Sequence, residues 1–174
     1  FATGFTENMS WYKRLAEEGQ HPRTMIISCC DSRVHATSIF GADRGEFFIH
    51  RNIANLVPPY EPDGAAHGTS AALEYAVTAL KVSNIVILGH SNCGGVKGCV
   101  DMCSGKAPEL ESQFSFVGRW MDILKPGYEA LKNKREEENF QELMEKQAVL
   151  ISLKNLSLIW SSTIALNFSL ILIS

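Results

Sequence analysis

The segments TMIISCCDSR, residues 24–33, and IVILGHSNC, residues 85–93, decide the fold. Each opens with an apolar run that is typical of a buried strand in a parallel sheet. Each run leads directly into residues that can carry out chemistry, and in parallel α/β sheets such residues gather just beyond the carboxyl ends of the strands. The two segments therefore predict an α/β protein with a short, mostly parallel β-sheet flanked by helices, and a functional site at one end of that sheet.

Two thiols and an imidazole follow these strands, at Cys29, Cys93 and His90. Cysteine sulfur and histidine nitrogen are donors that Zn²⁺ prefers, and three protein ligands leave a fourth position for water, as in catalytic zinc sites. The alternative is that both cysteines are ordinary buried thiols, because free cysteine is among the most buried residue types. Three such donors at two strand ends favour a zinc site.

Cys30 competes with Cys29 for the first ligand position. Successive side chains of an extended segment point to opposite sides, so Cys29 shares a side with Asp31 and Arg33 and Cys30 does not. We therefore assign Cys29 to the metal and Cys30 to the packing behind it. Arg33 should form a fork-to-carboxylate contact that keeps Asp31 ionised and oriented beside the metal. The alternative for this pair is a purely structural ion pair at a strand end.

The motif Cys-x-Asp-Ser-Arg at 29–33, followed by His-x-x-Cys-Gly-Gly at 90–95, resembles the β-class carbonic anhydrases. The stretches 51–60 and 89–95 are closest to the plant-type branch of that family and its bacterial relatives. The resemblance implies a zinc-dependent enzyme that hydrates CO2 reversibly to bicarbonate and a proton. It also implies that Asp31 accepts a hydrogen bond from a zinc-bound hydroxide.

The resemblance further implies a small substrate pocket that two subunits share, hence a homodimer that could pair into a homotetramer. An apolar pocket wall suits a small, nonpolar substrate such as CO2. The pocket residues implied by the resemblance are Gln20, Phe48, Ile53, Tyr75 and the backbone of Gly94. Without the resemblance, these side chains have ordinary explanations: Gln20 as a polar turn residue, Phe48 and Ile53 as core side chains, and Tyr75 as a partly buried tyrosine whose hydroxyl is satisfied.

Two other functions remain open from the sequence. Relatives of this family hydrolyse carbonyl sulfide or carbon disulfide at the same kind of site, although the pocket residues favour CO2. The chain could also be a non-catalytic, zinc-bearing structural or regulatory protein. In addition, Cys99 and Cys103 could join Cys93 in a separate metal or redox cluster, although a structural role is favoured for them.

The composition restricts the class of protein. A chain of 174 residues suffices for one domain with a sizeable core. A formal net charge of −3 does not indicate a nucleic-acid surface. Five cysteines without regular spacing indicate reduced thiols. No leader is visible, so we expect a cytoplasmic location, or an organelle if a transit peptide preceded Phe1.

Sequence patterns also predict the remaining elements. We expect residues 1–156 to form the zinc domain with an N-terminal helical arm, and residues 157–174 an atypical apolar tail where the family resemblance ends. The tail is uncharged, and its alternation at Leu166–Leu170 predicts a strand or interface rather than a membrane segment. The other expected elements begin with a helix from Asn8 or Ser10 to Gly19, a short helix within 34–44, a strand at 46–50 and a helix at 70–80. Three further helices are expected: one that starts at residue 96, one at 114–124 with an apolar stripe of Phe114, Val117 and Met121, and one from the charged run at 134–138 to residue 156.

Overall fold

The computed structural model describes residues 9–62, 68–160 and 166–173, and its centre is a four-stranded parallel sheet. The strands lie side by side in the order β2-β1-β3-β4, so β1 and β3 are the central pair. The predicted α/β architecture, with a parallel sheet flanked by helices, is confirmed. The strands are β1 (Thr24–Cys29), β2 (Phe47–Asn52), β3 (Asn84–His90) and β4 (Asn167–Ile173).

The two central strands are apolar along their length because helices cover both of their faces. In β1, Ile26 and Ile27 face opposite sides of the sheet and are 1% and 0% exposed. Ile87 and Leu88 of β3 are likewise fully buried. Burial of each such side chain stabilises the fold by about 1.5–3 kcal/mol. The buried pair of strands therefore fixes the positions of the residues at their carboxyl ends.

The described part of the chain contains seven helices. The third of them continues into a π-helical turn at Tyr75–Ala79, and short 3-10 turns occupy Ile53–Asn55, Pro108–Glu111 and Lys132–Lys134. The helices are α1 (Met9–Glu18), α2 (Ala36–Phe40), α3 (Gly68–Glu74), α4 (Gly94–Cys103), α5 (Phe116–Met121), α6 (Lys125–Leu131) and α7 (Phe140–Trp160).

Helix α1 ends where the sequence predicts, because Gly19 adopts a left-handed conformation with φ of 77°. Of its two expected N-caps, Asn8 lies outside the described residues and Ser10 is already inside the helix. The helix predicted at 114–124 is shorter than expected. It begins at Phe116, since the Oγ of Ser115 caps it by accepting a hydrogen bond from the N–H of Gly118 at 2.9 Å.

The predicted apolar stripe on that helix is wrong. Phe114 lies before the helix and is 81% exposed, and Val117 is 44% exposed. Only Met121 of the three is buried. For Phe114 the reason is the cap at Ser115, which sets the helix start two residues later and removes Phe114 from the 3.6-residue repeat. Val117 lies inside the helix, on a side that the core does not cover.

The charged run at 134–138 is solvated, as expected, but it is not the start of a helix. It lies in a turn and loop, and α7 begins only at Phe140. This helix packs on β3 and extends past residue 156 to Trp160. The predicted strand in the tail is confirmed, since β4 pairs in parallel with β3 from Asn167 opposite Asn84 to Ile173 opposite His90. Within the described residues, no helix has the length and apolar character needed to span a membrane.

Candidate metal centre

The ends of the two central strands bring Cys29, His90 and Cys93 together. Cys29 is the last residue of β1, His90 is the last residue of β3, and Cys93 immediately precedes α4. Since β1 and β3 are parallel neighbours, both strand ends lie at the same edge of the sheet. The three side chains are 4%, 4% and 1% exposed, and their ligand atoms lie within 4.8 Å of one another. Of the described residues, these three form the one such group of three donors.

The imidazole of His90 is held with one nitrogen free. Its Nδ1 lies 2.9 Å from the carbonyl oxygen of Ser91, which can only accept, so Nδ1 carries the proton. The Nε2 atom is then an acceptor, and it is buried without a hydrogen-bond partner. Because a buried polar atom without a partner is costly, this lone pair is suited to a metal ion.

The two thiols have the separation that a tetrahedral ion requires. The Sγ atoms of Cys29 and Cys93 are 4.0 Å apart, and Zn–S bonds of about 2.3 Å at the tetrahedral angle would place them roughly 3.8 Å apart. Both cysteines are free thiols. The hydrogen bond from Cys93 lowers the pKa of Cys29 to about 5, and the same contact, with burial, raises the pKa of Cys93. The donor set therefore fits zinc.

Asp31 and Arg33 form the predicted fork beside this group. The Nε of Arg33 donates to Oδ1 of Asp31 at 2.9 Å, and a terminal nitrogen donates to Oδ2 at 2.8 Å. These hydrogen bonds, with one from the Arg33 backbone N–H, hold the pKa of Asp31 well below its usual range. Arg33 also donates to the carbonyl of Asn92 at 3.0 Å, which ties the two motifs together. Asp31 Oδ2 lies 4.0 Å from His90 Nε2, so the ionised carboxylate adjoins the donors.

The sequence predicts that Cys30 packs behind the metal group, and the structure contradicts this. Its side chain is exposed and lines a cavity of about 540 Å³ together with Ile53 and Trp120. The assignment of opposite sides to Cys29 and Cys30 holds in the structure, because Cys29 is buried with the other donors. Cys30 lies just beyond the buried strand, because β1 ends at Cys29.

Arg51 was missed as a site residue by sequence reasoning. Its Nε donates to the carbonyl of Cys29 at 2.9 Å and a terminal nitrogen donates to the carbonyl of Asp31 at 2.7 Å. The guanidinium therefore fixes the backbone that carries both side chains. The register of β2 on β1, which sets Asn52 opposite Cys29, brings Arg51 to this position.

A strained turn presents Ile53 to the site. Ala54 and Asn55 both have positive φ, 63° and 48°, which is unfavourable for residues with a side chain. Surrounding hydrogen bonds hold the turn. The indole of Trp120 donates to the carbonyl of Ile53 at 2.8 Å. The side-chain amide of Asn52 donates to the carbonyl of Leu56 and accepts from its N–H. Such strain persists only where neighbours enforce it, and here it sets the chain beside the metal group.

The five residues expected to line a pocket fall into two groups within one chain. Gly94 opens α4 directly after Cys93, and Ile53 lies against Gly95, where an added Cβ would come within 2.6 Å of the Ile53 side chain. Gln20 and Tyr75 instead line a separate cavity of about 500 Å³.

Phe48 belongs to the second group, since its ring lies 5.9 Å from that of Tyr75. Phe48 pairs with Met25, four residues before Cys29 on the neighbouring strand. Four residues of strand correspond to roughly 13 Å, so a single chain does not bring this group to the metal ligands.

Cys99 and Cys103 form a pair of their own on α4. Their Sγ atoms are 4.0 Å apart, and burial raises the pKa of Cys99 to about 12 and also raises that of Cys103. Cys93 belongs to the group of three donors with Cys29 and His90. A protonated pair of this kind, with Cys99 buried and Cys103 partly buried, fits the structural role favoured by the sequence.

Comparison with known proteins agrees with this geometry. Residues 24–164 match the family model described as carbonic anhydrase. The chain is 39% identical over 156 residues to beta carbonic anhydrase 3 of Arabidopsis thaliana. The aligned region covers 87% of this chain and 58% of that relative. The chain thus spans about three fifths of the length of this curated relative.

Solved structures give the same result. The β-carbonic anhydrase CcaA has a TM-score of 0.71 and 33% identity, covering 89% of this chain and 67% of that one. One of two tetrameric β-carbonic anhydrases from Sordaria macrospora has a TM-score of 0.67 and 32% identity, and the match covers 88% of this chain and 73% of the other. With the match over residues 24–164, these comparisons identify the chain as a member of the β-class carbonic anhydrase family.

Proposed function

We propose that this chain catalyses the reversible hydration of CO2 to bicarbonate and a proton, with a zinc ion held by Cys29, His90 and Cys93. The observation that carries the proposal is the buried group of these three donors next to an ionised carboxylate, in a chain of this family. Bound zinc would supply Lewis acidity that makes water acidic near neutral pH.

Asp31 has the second role in the proposal. Its carboxylate stays ionised at neutral pH because Arg33 hydrogen-bonds both oxygens. An ionised carboxylate only accepts, so Asp31 would take a hydrogen bond from the attacking water and orient the oxygen lone pair toward CO2. Arg33 would hold Asp31 in that direction and Arg51 would hold the backbone beneath it.

The substrate wall would be apolar on the side of Ile53. Its side chain is 40% exposed, next to Gly95 and in the same cavity as Trp120. A small, nonpolar molecule such as CO2 loses little hydration on entering such a surface. Gly94 contributes backbone only, and nothing would lie within 4 Å of a Cβ there.

The second group of pocket residues supports a homodimer, which could pair further into a tetramer. Gln20, Phe48 and Tyr75 lie away from the metal donors of their own chain. We propose that they complete the pocket of a second copy. Strand β2 is an edge of the sheet, and Ile49 on it and Phe40 beside it are 38% and 39% exposed, which gives apolar surface for such contact. Light scattering of the purified chain should give at least twice the 19.2 kDa mass of one chain, and an active monomer would contradict the shared pocket.

Metal analysis combined with stopped-flow CO2 hydration tests the activity. We expect about one zinc per chain, hydration that is lost after treatment with a chelator, and recovery with zinc. Turnover of carbonyl sulfide and carbon disulfide is measured in parallel. A zinc-loaded chain that hydrolyses either of these and not CO2 would assign the site to that substrate, and a zinc-loaded dimer inactive on all three would support a non-catalytic role.

A further inference from the structure

Cys93 is the metal ligand whose position depends least on the sheet. Cys29 and His90 are the terminal residues of paired strands. Cys93 instead follows Asn92, which has a positive φ of 53°, and precedes the first residue of α4. A residue between a left-handed turn and a helix start has no ladder hydrogen bonds. The helix holds only its carbonyl, through the N–H of Lys97 at 3.0 Å, so its own N–H needs a partner from elsewhere.

Two side chains of α7 supply that support. The carboxylate Oε1 of Glu145 accepts a hydrogen bond from the backbone N–H of Cys93 at 2.9 Å. Gln141, one helical turn earlier, donates to the same Oε1 at 2.8 Å and to the carbonyl oxygen of Cys93 at 3.3 Å. The two side chains thus hold both polar groups of the Cys93 backbone, 48 and 52 residues away in sequence.

The burial of Glu145 makes this contact unusual. The residue is 3% exposed, and in the described part of the chain no Lys or Arg forms an ion pair with it. A buried carboxylate is costly unless strong donors satisfy it, so a role in packing alone would favour an apolar residue. Its position at the N-terminal end of α4 offsets part of this cost, because the helix dipole favours negative charge there.

We propose that Glu145, braced by Gln141, is a positioning residue for the metal: it fixes the Cys93 backbone and thereby aims the Cys93 thiolate at the ion. The inference rests on the zinc site of the proposed function. A hydrogen bond to a charged acceptor is stronger than one to a neutral acceptor, which makes the carboxylate a stiff anchor for this peptide group. Groups that orient a metal ligand in this way typically contribute 10- to 100-fold in metal affinity.

The test compares the wild type with Glu145→Ala, Glu145→Gln and the control Glu142→Ala. Glu142 lies on the same helix, but it is exposed and pairs with Lys146 at the surface at 2.6 Å. The readouts are zinc affinity by chelator competition, the absorption spectrum of the cobalt-substituted protein, which reports thiolate coordination, and circular dichroism of each metal-free variant.

We expect Glu145→Ala to fold, to bind zinc about 10- to 100-fold more weakly, and to show an altered thiolate-to-cobalt band. Glu145→Gln keeps an oxygen acceptor for the Cys93 N–H but loses the charge, so it should bind zinc more weakly than the wild type and more tightly than Glu145→Ala. Glu142→Ala should match the wild type in both measurements. A purely structural role for Glu145 would lower stability and leave the cobalt band unchanged.

Two results would overturn the inference alone: a Glu145→Ala variant with the zinc affinity and cobalt spectrum of the wild type, or a Glu145→Gln variant as weak as Glu145→Ala. If Glu145→Ala does not fold, Gln141→Met removes the brace from the other end, and an unchanged affinity and spectrum in that variant would equally overturn it. A wild-type chain that binds neither zinc nor cobalt would overturn the proposed zinc site and this inference with it.

Discussion

Replacement of Cys29 by serine should abolish stabilisation by zinc, whereas the same replacement at Cys30 should not. The two residues are adjacent, but Cys29 is 4% exposed and lies 4.0 Å from the Cys93 sulfur, while Cys30 is exposed. A serine hydroxyl stays protonated at neutral pH and is a poor ligand compared with a thiolate. The adjacent pair therefore gives a matched test of which side of the strand end holds the metal.

The size of the effect follows from linkage. Free zinc at about 100 times its dissociation constant stabilises a folded protein by about 2.7 kcal/mol. For a chain of this length, each kcal/mol raises Tm by about 2–4 °C, so zinc should raise the wild-type Tm by about 5–11 °C. Cys30→Ser should show the same increase, and Cys29→Ser should show almost none.

The assay is thermal unfolding of chelator-treated protein, with and without added zinc. The difference between the two scans matters rather than the Tm itself, since a serine hydroxyl buried at position 29 costs about 1–3 kcal/mol even without metal. An increase that disappears in Cys30→Ser and persists in Cys29→Ser would refute the assignment of the ligand.

Three further predictions concern the catalytic pair, pH and packing. Asp31→Asn and Arg33→Ala should keep about one zinc by metal analysis and lower kcat/KM for CO2 hydration roughly 10- to 100-fold; wild-type rates would contradict the role of the pair. Burial lowers the pKa of His50, so as pH falls below about 6.5 the unfolded chain binds a proton that the folded chain resists, and stability falls. Denaturant titrations at pH 7 and 5 should show a smaller fall for His50→Gln, and an equal fall would contradict this. Gly118→Ala should destabilise the fold by about 3 kcal/mol in urea titrations, because an added Cβ would overlap the carbonyl oxygen of Leu110; unchanged stability would contradict it.

The sequence predicted the part of the site that depends on local pattern. Apolar runs before Cys29 and His90 indicated parallel strands, and the strands β1 and β3 end at these residues. Alternation of side chains separated Cys29 from Cys30, because the two-residue repeat of an extended chain holds up to the end of the strand. The pairing of Asp31 with Arg33 is also local, since the two residues are two positions apart.

Other predictions depended on where an element begins, and here local pattern was insufficient. The stripe expected from Phe114 to Met121 failed because the hydroxyl of Ser115 caps the helix and places Phe114 outside it. Cys30 was expected to pack and is exposed. A cap removed Phe114 from its repeat and a strand end left Cys30 uncovered, while Val117, inside the helix, is exposed although it lies four residues before buried Met121.

The sequence by itself determined the two central strands and the three potential metal donors that follow them along the chain. Only the tertiary structure decided which distant groups support them. Arg51 reaches the Cys29 carbonyl because β2 pairs in register with β1, and Glu145 reaches Cys93 because α7 packs across β3 and α4. The physical reason is that a periodic pattern specifies which face of an element is buried, whereas a hydrogen bond between residues 22 or 52 positions apart depends on how two elements dock.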